Sequence, residues 1–256
     1  MQFIDTHTHL YAEEFAEDIA TVISKAIEKK VSQMLLPDID SMSRPAMLKL
    51  HERFPENCPL MIGLHPTSVK QDYKSELEKI DEIINNHDFC GIGETGIDLY
   101  WDKTFFAEQV DSFTYQIELS LKHNLPIVIH SRKSINEIFS VLKPYKNSGL
   151  KGVFHCFPGS TEDARKVIEM GFYLGIGGVV TYKNSGMAEV VKQTDLKHIL
   201  LETDSPYLTP APFRGKRNDS SHIPVIAEFI ASLKGITTEE VAETTTFNAK
   251  QLFNIS

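Results

Sequence analysis

Short apolar runs of β-strand length recur along the chain: QFIDTHTH (2–9), QMLLPDI (33–39), LMIGLHP (60–66), CGIGETGID (90–98), LPIVIHS (125–131), GVFHCF (152–157), FYLGIGG (172–178) and ILLETDSP (199–206). Most are nearly continuous in apolar residues, the pattern of parallel strands buried on both faces. Between them the period changes to that of a helix. Over 104–123, Phe106, Val110, Phe113, Ile117 and Leu121 recur at three- and four-residue spacing and make one apolar stripe. Ser160, with Asp163 three residues on, predicts a helix start, and Gly171 its stop. Thr237 and Glu240 stand at capping-box spacing.

Eight strand-like runs alternating with helical segments predict an α/β fold, a distorted TIM (β/α)8 barrel. The helix between the seventh and eighth runs is short, and the chain beyond 207 begins as a long loop. An open doubly wound sheet is the other arrangement, but no Gly-rich phosphate loop follows the first run. A barrel of this kind uses 256 residues as one domain, so residues 1–256 are expected to form a single unit.

Composition adds limits. The chain is 41% hydrophobic and 24% charged, an ordinary globular balance. No apolar run approaches the roughly 20 residues of a membrane span, and no signal peptide is visible. The expectation is a cytoplasmic protein, a monomer, without membrane contact. Cys58, Cys90 and Cys156 are far apart and odd in number. They lack zinc-ribbon or redox spacing, which argues against a disulfide framework and fits a reducing compartment. A net charge of -9 does not attract nucleic acid globally. Such a substrate would need a local basic patch or metal ions.

The candidate chemistry lies at the C-terminal ends of the runs. Five carry a metal-ligand type there: His7 and His9, Glu94, His130, His155, and Asp204. In a barrel those ends converge on one face. Strand side chains alternate, so His7 and His9 point together, with Asp5 beneath them. Glu94 shares parity with Asp98, His130 with Arg132, and Glu202 with Asp204. Each motif alone has a plain structural reading: HxH as a polar strand edge, GIGETG as a Gly-rich turn, His65 as a loop residue bonding a carbonyl before Pro66. Five strand ends together point to a metal site. His51, His87, His123 and His198 fall in helices or their loops and read as solvated.

Imidazole and carboxylate donors without thiolate suit Zn, Mn or Mg. The donors exceed one tetrahedral set, which suggests two divalent ions sharing Glu94, roughly 3.5–4 Å apart. Glu202 reads either as an outer ligand or as an acid satisfied in the barrel mouth. Asp5 is expected to orient a histidine ring from behind.

DTHTHL, GLHP, GETGID, IHSR, HCFPGS, LETDSPYL and TTTFNAKQLF together resemble the TatD family of metal-dependent hydrolases, within the amidohydrolase superfamily. The match runs from residue 2 to about 253. The resemblance implies a distorted TIM barrel, divalent metals, and hydrolysis of DNA phosphodiesters, often as a 3′-to-5′ exonuclease on single strands. It implies metal positions at His7, His9, Glu94, His130, His155 and Asp204. In the mechanism expected here, Glu94 joins the metals, and Asp204 takes the proton from a metal-activated water. His65 and Arg132 contact the phosphate. Arg214 and Lys216 either hold a neighbouring phosphate or remain solvated loop charges. The family loop usually reads RGKRNEP, whereas residues 214–223 read RGKRNDSSHI, with Asp219 for glutamate and Ser220 for proline. Arg214, Lys216 and Arg217 are kept. Hydrolysis of an amide, ester or lactone on a small molecule is the competing reading, because the barrel and donors serve both.

Overall fold

The eight apolar runs become eight parallel strands in the computed structural model, which describes residues 1–255. They are β1 (Phe3–Asp5), β2 (Val31–Met34), β3 (Leu60–Ile62), β4 (Phe89–Asp98), β5 (Ile127–Arg132), β6 (Gly152–Phe154), β7 (Tyr173–Ile176) and β8 (Ile199–Leu201). β1 pairs with β2, and β3 to β8 pair in chain order. Two irregular seams close the circle. Leu36 bridges Leu60, with Met61 N donating to Leu36 O at 2.9 Å. Thr8 bridges Ser205, and Thr6 N donates to Leu201 O at 3.0 Å. The expected distortion of the barrel lies at these seams.

Most strands are shorter than the apolar runs that announced them. β1 stops at Asp5 and β8 at Leu201, so His7, His9 and Asp204 sit just beyond the regular ladder. There the backbone bends and bonds locally: Asp204 N donates to His7 O at 3.0 Å, and His9 N to Ser205 O at 2.8 Å.

The helices surround this sheet. They are α1 (Ile19–Glu28), α2 (Arg44–Arg53), α3 (Tyr73–Ile83), α4 (Phe106–His123), α5 (Ile135–Leu142) and α6 (Thr161–Glu169). Then come α7 (Met187–Gln193), α8 (Ile223–Lys234) and α9 (Thr238–Phe253). Both expected capping boxes form, Ser160 with Asp163 and Thr237 with Glu240. Gly171 follows α6 at φ 86°, a left-handed position that glycine occupies without a Cβ penalty.

Ile4, Leu35, Met61, Val128, Val153 and Leu200 pack together in one cluster, from six different strands or their extensions. Ala249, Leu252 and Phe253 of α9 join it. The larger cluster packs strands against helices. α4 buries Phe113 and Ile117 as its stripe requires, while Phe106 at its start is exposed. Its buried glutamines serve the loops above: Gln116 Oε1 accepts from Leu64 N at 2.8 Å, and Gln109 Oε1 from Asp98 N at 2.8 Å. No helix among the described residues is long and apolar enough to cross a membrane.

Candidate metal centre

Glu94 is the hub of the site. Its Oε2 lies 3.1 Å from His7 Nε2 and 3.7 Å from His9 Nε2. Its Oε1 lies 2.7 Å from His130 Nδ1, 3.4 Å from His65 Nε2 and 3.7 Å from His155 Nε2. Asp204 Oδ1 closes the other side, 3.5 Å from His9 Nε2 and 3.7 Å from His155 Nε2. The structure therefore gathers all six residues expected as metal ligands, and adds His65 at the edge of the group.

The donor set fits a metal. Donors bonded to one cation at 2.0–2.2 Å lie roughly 3.0–3.5 Å from one another, close to the spacing here. Compact groups are His7, His9 and Glu94; His7, His155 and Asp204; and His65, Glu94 and His130. Burial alone would raise the pKa of Glu94, yet His65, His7 and His155 hold it well below the usual carboxylate range. Asp204 is likewise lowered: burial opposes ionisation, and His155 and His9 outweigh it. Both acids stay charged and ready to coordinate.

The neighbours of His9 and His65 choose the tautomer of each ring. Tyr11 Oη donates to Pro37 O at 2.5 Å, so its lone pair receives the Nδ1 proton of His9 at 3.0 Å. In the neutral ring the lone pair is then on Nε2, which faces Glu94 and Asp204. His65 is opposite. Its Nδ1 accepts from Thr67 N at 3.1 Å, so the neutral ring carries its proton on Nε2. Burial lowers the pKa of His65, which favours that neutral form. His65 therefore presents a hydrogen-bond donor to the centre rather than a ligand lone pair.

His130 lies between two acids, with Nδ1 facing Glu94 and Nε2 2.8 Å from Asp98 Oδ2. Burial works against its protonation, and the bonds to Asp98 and Glu94 outweigh it and raise its pKa. Glu202 stands behind His155: its Oε1 is 3.1 Å from His155 Nδ1 and accepts Cys156 N at 2.6 Å. The contact to the ring is close but not aligned as a hydrogen bond. Gly175 on β7 makes this possible, since a Cβ there would come within 2.3 Å of Glu202 Oε2.

Asp5 departs from expectation. Its carboxylate accepts from Thr203 N at 2.9 Å, Thr203 Oγ1 at 2.6 Å and His7 N at 3.3 Å, and from no imidazole. The chain bends at Thr6, directly after β1, and the two-residue alternation that placed Asp5 beneath both rings ends there. Asp5 instead ties the backbone before His7 to the backbone before Asp204. The ring-backing acids are Asp98 and Glu202. Asp98 stood out in the sequence only by parity, and Tyr11 and Thr67 gave no signal beyond lying two residues past a histidine.

The expected phosphate contacts lie on loops. Arg132, exposed at the end of β5, stacks over Tyr100 at 4.1 Å and Trp101 at 5.2 Å. Arg214 stacks over Tyr182 at 4.2 Å, and Lys216 is exposed. Arg217 is committed elsewhere, in a two-pronged pair with Asp18 at 2.6 and 3.0 Å. The loop departures point inward: Asp219 and Ser220 are buried, and Asp219 pairs with Lys25 at 2.7 Å. They anchor the loop, and the exposed basic side is unaltered. His51, His87, His123 and His198 belong to none of the candidate metal groups among the described residues.

A parallel barrel whose mouth gathers imidazoles and carboxylates defines a metal-dependent hydrolase. The chain belongs to the TatD related DNase family, whose model matches residues 4–254. It is 41% identical over 255 residues to the uncharacterized metal-dependent hydrolase YabD of Bacillus subtilis, covering 98% of this chain and 99% of that one. It is 29% identical to the 3′-5′ ssDNA/RNA exonuclease TatD of Pantoea ananatis, covering 98% and 99%. The crystal structure of YJJV, a TatD homolog from Escherichia coli K12, superposes with a TM-score of 0.93 at 26% identity, covering 99% and 98%.

Proposed function

We propose that this hydrolase cleaves phosphodiester bonds of single-stranded DNA from the 3′ end, using two divalent metal ions of the Mg, Mn or Zn type. The observation that carries this reading is Glu94, one oxygen turned to His7 and His9 and the other to His130. A single carboxylate between two imidazole groups is the arrangement of a shared ligand. His7, His9 and Asp204 would hold one ion with Glu94; His130 would hold the other with it, and His155 lies within reach of both acids.

Bound there, divalent ions supply Lewis-acid activation of water and neutralise phosphate charge. The side chains do the rest. Asp204 is ionised and partly exposed, so it takes the proton of the attacking water. His65 Nε2–H donates to a phosphate oxygen. Arg132 forms no ion pair among the described residues and is free to fork onto the same phosphate. Arg214 and Lys216 hold the next phosphate along the strand. The named activity of the Pantoea ananatis relative supports strand and polarity.

End-labelled single and double strands, with RNA beside DNA, should be digested across Mg, Mn and Zn. The expected result is a ladder shortening from the 3′ end of single-stranded DNA. Turnover confined to amide, ester or lactone substrates would overturn the nuclease reading and favour the small-molecule one.

A further inference from the structure

Tyr100 and Trp101 sit in the loop that follows β4, and both rings face solvent, at 52% and 68% exposure. Large aromatics this exposed beside a buried charged centre need an explanation beyond packing. Their backbone is firmly held. Asp98 Oδ1 accepts Tyr100 N at 2.8 Å and Trp101 N at 3.0 Å, while Oδ2 of the same carboxylate lies against His130 Nε2. One acid thus fixes both a histidine of the metal centre and the loop bearing the aromatic pair.

The rings form a corner, 5.0 Å apart and 86° to one another. Arg132 lies over Tyr100 at 4.1 Å and, more loosely, over Trp101 at 5.2 Å, and Trp101 remains the more open of the two. A cavity of about 70 Å³ adjoins Trp101 and reaches Thr67 and Asp98. That is far below the roughly 300–1,000 Å³ of a ligand pocket, so whatever meets Trp101 lies on its face rather than entering a hole. An exposed ring beside an arginine without an ion-pair partner among the described residues is the pairing that holds single-stranded nucleic acid, one for the base and one for its phosphate.

We infer that Trp101 is a stacking shelf for a nucleobase, next to the phosphate that Arg132 contacts at the metal centre, with Tyr100 holding Arg132 in place. This rests on the nuclease reading and adds to it a binding residue for the base. Stacking accepts any base, so the shelf sets a preference for unpaired strands without a preference for sequence. A duplex keeps its bases stacked on one another and cannot offer a free face.

Trp101 is the chain's only tryptophan, so its fluorescence reports the shelf directly. The metal-loaded protein should be titrated with a phosphorothioate-linked tetrathymidylate and with an abasic strand of equal length and charge. The expected result is quenching by the first and none by the second. Trp101→Ala should raise KM for single-stranded DNA roughly 10- to 100-fold, more than it lowers kcat, and Trp101→Phe should restore most of the loss. Equal quenching by both strands, no quenching in a protein that cleaves the strand, or an unchanged KM in Trp101→Ala would each overturn the shelf. If the wild type cleaves no strand, the nuclease reading falls, and the quenching contrast still decides the shelf by itself.

Discussion

His130 is clamped between two carboxylates, with Asp98 Oδ2 2.8 Å from its Nε2 and Glu94 Oε1 2.7 Å from its Nδ1. Both ring nitrogens thus face an acid, and with a metal bound the acid behind the ring would keep the proton on Nε2 and leave Nδ1 free to coordinate. Asp98→Asn keeps an acceptor for Tyr100 N and Trp101 N but loses the charge behind His130. Metal affinity, measured by titration of metal-free protein, should fall roughly 10- to 100-fold. Unchanged affinity would show that His130 needs no such support.

Glu94 touches more of the centre than any other side chain. His7, His9, His65, His130 and His155 all approach within 3.7 Å of its oxygens. Glu94→Ala should bring turnover to background and reduce bound metal, while circular dichroism stays close to that of the wild type. Full activity at native metal content would remove the shared-ligand role.

Arg132 and His65 are expected to act on substrate and not on metal. Charged hydrogen bonds contribute roughly 1.5–3 kcal/mol, so Arg132→Ala should lower kcat/KM on single-stranded DNA roughly 10- to 100-fold with metal content retained. His65→Ala should behave the same way, because the proton on Nε2 excludes coordination there. Metal loss in the His65 variant, seen by elemental analysis, would return that ring to the ligand set.

Asp219 holds the loop that carries Arg214 and Lys216. Burial raises its pKa, but Lys25 and Ser221 more than compensate and leave it below the ordinary value. A carboxyl depressed on folding stabilises above its unfolded pKa, and that stability is lost as pH falls through the folded pKa. Asp219→Ala should cost about 1 kcal/mol near neutrality, a Tm lower by roughly 2–4 °C. The gap from wild type should begin to narrow as pH falls below about 4 and go on narrowing through the lowered folded pKa. A gap that persists in acid would assign the effect to packing instead of charge.

The sequence by itself determined the eight-strand barrel, the two capping boxes and the candidate donors at His7, His9, Glu94, His130, His155 and Asp204. Those features are local. Burial on both faces writes continuous apolar runs, a capping box needs residues three apart, and a ligand type at the end of a run is visible without knowing its partner. Tertiary structure decided what the donors face. Asp5 meets Thr203 across 198 residues, Glu94 meets His7 from another strand, and Asp98 backs His130 from 32 residues away. The bend at Thr6 ended the alternation that parity relied on. Periodicity fixes side-chain direction only while the ladder continues; it holds for Glu94 and His130 inside β4 and β5, whereas His7, His9, His155 and Asp204 of the candidate centre lie where their ladders have stopped.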